Sequence, residues 1–349
     1  MQVQAKKCQS GMLQVLQQRT RVPTSFLTYP SHSCSRSSKG CNIACHPKPT
    51  AKFICSSLAT STPASAVPAP VPPPAQPASG PLSTSVQAPG INFNTIANTG
   101  AAKAAMPEWK SLLGGVLAGA YISFGCFLSL SVGGSIPGIA TSNPGLQKLI
   151  MAMLFPVNLM MVTLCGAELY TGNTAVVSVA MFEGKAKVSH ALRGLFYSFI
   201  GNWIGCFGIA AAVAATGLMA ANPLPSAVAV AKTSLDPQTA FVRAILCNWL
   251  VCLAVWMASS ATSLPGKVMG LWPPVVAFFA IGLEHSIANM FIISLGIMLG
   301  AKVTFVQLWT SNLLPVTLGN TVAGVLCVAL PYALLYGTLG QRLQRPSSA

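Results

Sequence analysis

The chain has 349 residues, of which 52% are hydrophobic and only 7% are charged, and its mean hydropathy is +0.61. A pair of soluble domains, which the length alone would suggest, is excluded because uncharged runs of about 20 residues or more recur, and such a run spans a bilayer as a helix. The net charge of +15 would also fit a nucleic-acid-binding protein, but nine of the twenty basic residues precede Glu108, and no basic stripe interleaved with aromatic residues follows. We therefore expect a membrane protein embedded in the lipid bilayer that does not bind nucleic acid.

The first 90 residues contain eight Lys or Arg residues, many Ser and Thr residues, and no Asp or Glu. This composition is typical of an organellar transit peptide, which we place at residues 1–60. The stretch rich in Pro, Ala and Ser that follows cannot bury a core, so residues 61–107 are interpreted as a linker that ends in a short interfacial helix. The membrane domain is predicted over 108–340, and a short basic tail over 341–349. The alternative for the leader is a disordered cytosolic tail.

Six apolar stretches are long enough to cross a membrane, and two of them are interrupted by short polar fragments. The sequence therefore predicts an all-α membrane protein with six transmembrane helices, two of which are broken. The predicted spans are 111–133, 148–182 (broken), 193–218, 240–262, 269–300 (broken) and 309–338.

The two interruptions are copies of one fragment. Gly166–Asn173 and Gly282–Asn289 both follow the pattern G-x-E-x-x-x-x-N and lie 116 residues apart, while Gly201-Asn202 and Gly319-Asn320 lie 118 residues apart. Helices broken at matching places in two halves point to a transport site near the bilayer midplane. Because each half holds three spans, the second half must be inverted relative to the first, which makes the fold an inverted three-plus-three repeat.

Each fragment carries one of only five acidic residues in the chain, Glu168 and Glu284. A carboxylate at membrane depth is expected to face protein or a polar cavity. Two roles are open: proton carrier, or a structural group that accepts hydrogen bonds from the backbone amides freed by the helix break, and we favour the structural role. Thr171, in the first fragment, either lines a pore or caps the helix that resumes beyond it.

His285 is the only histidine within the apolar spans. A single core histidine is usually a packing residue, but this one lies at a helix break, beside a glutamate, inside the membrane. It is therefore a candidate for proton exchange with a weak-acid anion, since histidine titrates near neutrality. Lys232 precedes the fourth span, either as a solvated loop lysine or as a cation that draws anions to a pore mouth.

No metal site or cofactor is expected. Cys41 and Cys45 lack a partner pair with zinc-ligand spacing, and the cysteines of the membrane domain are isolated in apolar segments, where we interpret them as packing residues. A membrane enzyme would need a nucleophile–base pair, a metal cluster or a nucleotide-binding loop, and the sequence contains none of them. A purely structural membrane protein would not need a histidine and two glutamates at helix breaks.

Three segments resemble motifs of the formate/nitrite transporter family, and the resemblance covers about residues 105–340. They are Cys165–Thr171, Cys247–Cys252 and Gly282–Met290. The resemblance implies an aquaporin-like protomer with its own pore, assembled as a homopentamer. It also implies roles for individual residues: His285 at the pore centre with Thr171 and Asn248, Lys232 in the vestibule, and hydrophobic constrictions at Phe155, Leu159, Leu169 and Phe278.

The chain departs from the family pattern at Tyr170 and Ser294, where the family commonly has Phe and Pro, which leaves gating and selectivity open. The long leader is similar to that of green-algal members of the plastid envelope, so we expect the inner chloroplast envelope. The resulting hypothesis is transport of a small weak-acid anion, nitrite, with proton coupling through His285. The alternative is a bicarbonate or formate channel of the same fold, and a neutral-solute channel is less favoured.

Overall fold

A computed structural model describes residues 85–344. The predicted transit peptide, the first part of the linker and the last five residues lie outside the described residues. Within 85–344 the regular structure is entirely helical. The helices are α1 (Pro89–Ala104), α2 (Glu108–Gly134), α3 (Pro137–Ser142), α4 (Pro144–Leu164), α5 (Tyr170–Phe182), α6 (Val188–Ala215), α7 (Leu224–Thr233), α8 (Pro237–Ser260), α9 (Leu264–Ile281), α10 (Ser286–Met298), α11 (Phe305–Tyr336) and α12 (Thr338–Gln344).

Six of these helices are long and apolar enough to cross a membrane. They are α2, α4, α6, α8, α9 and α11, and each corresponds to one predicted span. The second and fifth spans continue after a break as the half-helices α5 and α10. This confirms the all-α fold with six transmembrane helices, two of them broken, in two inverted halves of three.

Both breaks begin at a glycine with a left-handed backbone. Gly166 and Gly282, which occupy the same place in the two repeated fragments, have φ angles of +72° and +87°. A side chain at this conformation is sterically disfavoured, and glycine commonly ends helices in this way. The glycine of the repeated pattern therefore ends the first half of each broken helix.

The two half-helices lie in the centre of the bundle. Every residue from Thr171 to Ala180 and from Ser286 to Gly296 is buried by the surrounding protein. Their apolar side chains therefore contact other helices rather than lipid. The glycines of the two breaks, Gly166 and Gly282, are exposed, but each lines a cavity of the protein, which is one setting in which irregular backbone at membrane depth is tolerated.

Close contact between α2 and α6 holds the first half together. A Cβ atom added to Gly205 would lie 2.1 Å from the carbonyl oxygen of Val116, and one added to Gly119 would lie 2.2 Å from that of Asn202. Gly115 and Gly201 are similarly crowded, so each helix presents a Gly-x-x-x-Gly pair to the other. Small residues at this spacing let two membrane helices approach backbone to backbone.

Candidate functional site

Two asparagines bind the backbone freed at the first and second break in the same way. The Oδ1 atom of Asn202 accepts from the amide of Tyr170 at 2.9 Å, and its Nδ2 donates to the carbonyl of Glu168 at 2.9 Å. In the second half, Asn320 Oδ1 accepts from the amide of Ser286 at 2.9 Å, and Nδ2 donates to the carbonyl of Glu284 at 3.1 Å. These are the repeated Gly-Asn pairs, and each asparagine side chain spans the break of its own half.

The carboxylates at the breaks are held by lysine and asparagine side chains. Glu168 Oε1 lies 2.6 Å from Lys103 Nζ, and its Oε2 accepts from Asn173 Nδ2 at 2.8 Å. The prediction that these carboxylates accept hydrogen bonds from freed backbone amides was wrong. Asn202 already satisfies the amide of Tyr170, and a buried carboxylate needs a nearby cation to offset the loss of water.

The second carboxylate repeats this arrangement. Glu284 Oε1 lies 2.9 Å from Lys232 Nζ, and Oε2 accepts from Asn289 Nδ2 at 2.6 Å. The Lys232 side chain is 16% exposed and that of Glu284 only 3%, so Lys232 is not a freely solvated loop lysine. It is a largely buried cation that neutralises Glu284.

His285 caps the half-helix α10. Its Nδ1 accepts a hydrogen bond from the amide of Ala288 at 3.1 Å. Because Nδ1 is an acceptor, the proton of the neutral imidazole lies on Nε2. Nε2 in turn lies 2.9 Å from Oγ1 of Thr171, to which it donates. Both ring nitrogens of His285 are therefore engaged with the protein.

Thr171 is the second residue of α5, which begins at Tyr170, so its alternative role as the helix cap was wrong. Asn248 binds the backbone of Thr171: its Nδ2 lies 3.2 Å from the carbonyl oxygen of Thr171 and 2.6 Å from that of Asn320. Asn248 thus joins the half-helix of one repeat to the capping asparagine of the other. Neither Thr171 nor Asn248 lines the small cavity beside His285.

That cavity, here called the central chamber, has a volume of about 10 Å³, roughly the space for one water molecule. Seven of its nine lining residues are apolar, and the other two are Asn158 and His285. It adjoins two larger cavities, one on each side. The apolar lining residues are Ile122, Phe155, Leu159, Leu169, Val251, Val275 and Phe278.

One of the larger cavities, the Lys103 vestibule, has a volume of about 290 Å³ and shares Leu159 and Leu169 with the chamber. The other, the Lys232 vestibule, has a volume of about 330 Å³ and shares Phe155, Phe278 and His285 with it. The Phe155 and Phe278 rings meet edge to face at 5.7 Å. A leucine pair thus separates the chamber from one vestibule, and a phenylalanine pair separates it from the other.

Both vestibules carry basic side chains. Lys148 and Arg243 line the Lys232 vestibule, where Glu284 is the acidic lining residue, and Lys267 lines the Lys103 vestibule. Since Lys232 already neutralises Glu284, the other two cations leave the Lys232 vestibule with a positive balance. An anion is therefore favoured in it.

Asn158 was missed by sequence reasoning. It lies on α4 between Phe155 and Leu159, is 1% exposed, and lines the central chamber, while its Nδ2 has no hydrogen-bond partner. The sequence does contain a signal for this residue. Asn158 is a polar side chain in an apolar span, directly before the expected constriction residue Leu159, and burying such a side chain in a membrane costs free energy, so its presence indicates a function or a partner.

Comparison with known proteins identifies the family that shares this architecture. The model of the formate/nitrite transporter family matches residues 91–334. The chain belongs to the formate/nitrite transporter family. It is 41% identical over 274 residues to a probable formate transporter of Methanothermobacter thermautotrophicus, which covers 71% of this chain and 98% of the relative. It is 32% identical to the nitrite transporter NirC of Salmonella typhimurium, over 67% of this chain and 84% of that protein.

A solved structure titled a pentameric formate channel with formate bound has the same fold. It superposes with a TM-score of 0.56 at 31% identity, over 66% of this chain and 97% of the other. Members of the formate/nitrite transporter family are transporters and channels rather than enzymes. This chain is accordingly a multi-pass membrane protein that transports small anions.

Proposed function

We propose that this chain transports nitrite across the inner chloroplast envelope as a homopentamer, with proton coupling through His285. The observation that carries the proposal is the central chamber, an apolar cavity between two basic vestibules with one titratable side chain in its lining. The family supplies the class of substrate, and the acid-free, Arg- and Ser-rich leader supplies the proposed location.

The vestibules and the chamber have different roles in the proposed transport. Lys148 and Arg243 concentrate a small anion in the Lys232 vestibule. Crossing the Phe155–Phe278 pair as an ion is costly, because the anion loses its water without gaining a charged partner. Loss of water disfavours the charged form of a weak acid, so the proton affinity of the anion rises as it enters. Protonation then lets it cross as the neutral acid.

His285 relays that proton: its ring takes up a proton from water in the Lys232 vestibule, which it lines, and passes it to the anion. Its Nδ1 accepts the Ala288 amide and its Nε2–H faces Thr171, so the ring can hold a second proton only while the bond to Ala288 is open. Closing that bond requires the ring to give the proton up. The hydrogen bond from the Ala288 amide thus returns His285 to its neutral form after each transfer. Asn248 holds the Thr171 backbone in position through its bond to the Thr171 carbonyl.

Formate is the second candidate, favoured by two observations. The relative with 41% identity is named a probable formate transporter, and the pentameric neighbour holds formate. Nitrite and formate are both planar monovalent oxyanions of weak acids, so the same chamber suits either one. Bicarbonate is a further alternative of the same fold.

The substrate is tested by initial uptake of nitrite, formate and bicarbonate into liposomes that contain the full-length chain, at several pH values. We expect nitrite to enter fastest, at a rate that increases as the pH falls. Fastest entry of formate would favour the second candidate, and no uptake above that of protein-free liposomes would contradict both.

The location and assembly need separate tests. Residues 1–60 fused to a fluorescent protein should direct it to chloroplasts of photosynthetic cells, and a cytosolic signal would contradict the transit peptide. The mass of the purified complex should equal five chains.

A further inference from the structure

We propose that Asn158 is a substrate-binding residue of the central chamber, whose side-chain amide hydrogen-bonds an oxygen atom of the passing oxyanion or of its conjugate acid. This rests on the proposed function, because it takes the chamber as the path of the substrate. It adds a residue to which neither the family motifs nor the repeat assigns a role.

The first argument is the missing partner. Asn158 is 1% exposed and its Nδ2 has no hydrogen-bond partner, although buried polar groups in folded proteins are almost always paired. A buried donor without a partner destabilises a protein, so its presence calls for an explanation. A ligand that is present only part of the time is such an explanation.

The second argument is that the fold makes room for this side chain. A Cβ atom on Gly125 of α2 would lie 2.7 Å from Cβ and 3.1 Å from Cγ of Asn158. The glycine therefore allows the amide to lie between α2 and α4 at the chamber wall. Any larger residue at position 125 would displace Asn158.

The third argument is that His285, the other polar side chain that lines the chamber, already has hydrogen-bond partners within the protein. His285 donates from Nε2 to Thr171 and accepts at Nδ1 from Ala288, so both of its nitrogens are engaged. Asn158 is then the polar lining residue of the chamber with an unused donor. A neutral amide suits this place, because it can donate to the anion and also donate to or accept from the neutral acid without trapping a charge.

The test compares Asn158→Ala and Asn158→Leu with the wild-type full-length chain, measuring nitrite and formate uptake and thermal unfolding. Ala enlarges the chamber and Leu fills it, so an effect shared by both variants is due to loss of the amide. We expect KM to rise roughly three- to tenfold in both variants, the loss expected for one hydrogen bond. We also expect the unfolding temperature to stay the same or rise, because an unpaired buried donor has been removed.

Asn92→Leu is the matched control. Asn92 is equally buried and its Oδ1 also lacks a partner, but its Nδ2 donates to the carbonyl of Trp256 at 3.1 Å, and it does not line the chamber. This variant should lower the unfolding temperature and leave KM unchanged. Wild-type KM together with a lowered unfolding temperature in both Asn158 variants would assign Asn158 a packing role and overturn the proposal. Absence of uptake by the wild type would instead overturn the proposed function, and this inference with it.

Discussion

Oγ1 of Thr171, at the start of the first half-helix, lies 2.9 Å from Nε2 of His285, at the start of the second. The two inverted halves therefore meet at their breaks, through a hydroxyl and an imidazole. Asn248 strengthens this junction by binding the carbonyls of both Thr171 and Asn320. The chamber beside this junction is lined by residues of both halves, including Leu169 at the first break and His285 at the second, so a change at either break should affect it.

Removing the capping asparagines should destabilise the two halves by similar amounts. Asn202→Ala and Asn320→Ala each leave one backbone amide and two carbonyls without their side-chain partner. We expect each to lower the free energy of unfolding by about 1–3 kcal/mol or more, measured by thermal unfolding in detergent. Asn94→Ala, at an exposed position of α1, should change it by less than about 0.5 kcal/mol. A negligible effect at both capping positions would contradict the account of the breaks.

At the buried ion pair of Lys232 and Glu284, replacing one residue should lower the free energy of unfolding more than replacing both. Lys232→Met leaves Glu284 as a buried charge without its cation, so we expect a loss of about 3 kcal/mol or more. Combining it with Glu284→Gln should recover much of this loss, because no uncompensated charge remains. A double variant less stable than Lys232→Met alone would show that the two charges do not compensate one another.

The control for this prediction is the pair Arg193–Glu108. Its atoms are also 2.9 Å apart, but its side chains are 38% and 46% exposed. Arg193→Met should therefore lower the free energy of unfolding by less than about 1 kcal/mol, since water already screens this pair.

The contact between α2 and α6 predicts a contrast between two glycines on one helix. Gly205→Ala places a methyl group against the backbone of Val116, so we expect a loss of about 2 kcal/mol or more, or failure to fold. Gly208→Ala, one turn further along α6, meets nothing within 4 Å and should be neutral or stabilise by up to about 1 kcal/mol. Thermal unfolding of the two variants measures the contrast, and equal stabilities would contradict the close approach.

The basic lining of the Lys232 vestibule predicts that the rate of nitrite uptake depends on salt concentration. Replacing Lys148 and Arg243 together with Gln should reduce nitrite uptake severalfold at low ionic strength, because both cations attract the anion to the mouth. The difference should shrink near physiological salt, where the Debye length falls to about 8 Å. Lys187→Gln, at an exposed position that lines neither vestibule, should have no effect. A loss that is the same at every salt concentration would assign the two residues a structural role.

The spans and the breaks could be predicted from the sequence, because uncharged runs and a repeated motif are local patterns. The partners of the break carboxylates could not. Lys103 and Glu168 are 65 residues apart and Lys232 and Glu284 are 52 apart, and only the packing of α1 and α7 on the bundle brings them together. Backbone amides are the nearer partners in sequence, which is why they were expected.

Asn158 was missed for a related reason. The family resemblance assigns its neighbours Phe155 and Leu159 to an expected constriction, whereas none of the three motifs includes Asn158. What distinguishes Asn158 is the lack of a partner and the glycine beside it at position 125, and both depend on how α2 and α4 pack.

The central claim, proton-coupled passage through the chamber, is tested most directly by proton movement during nitrite uptake. Liposomes with the full-length chain and an internal pH dye should acidify when nitrite is added outside, faster than protein-free liposomes. We predict that His285→Asn abolishes this acceleration and that His190→Asn, at an exposed position, preserves it. Acidification by His285→Asn at the wild-type rate would contradict the account.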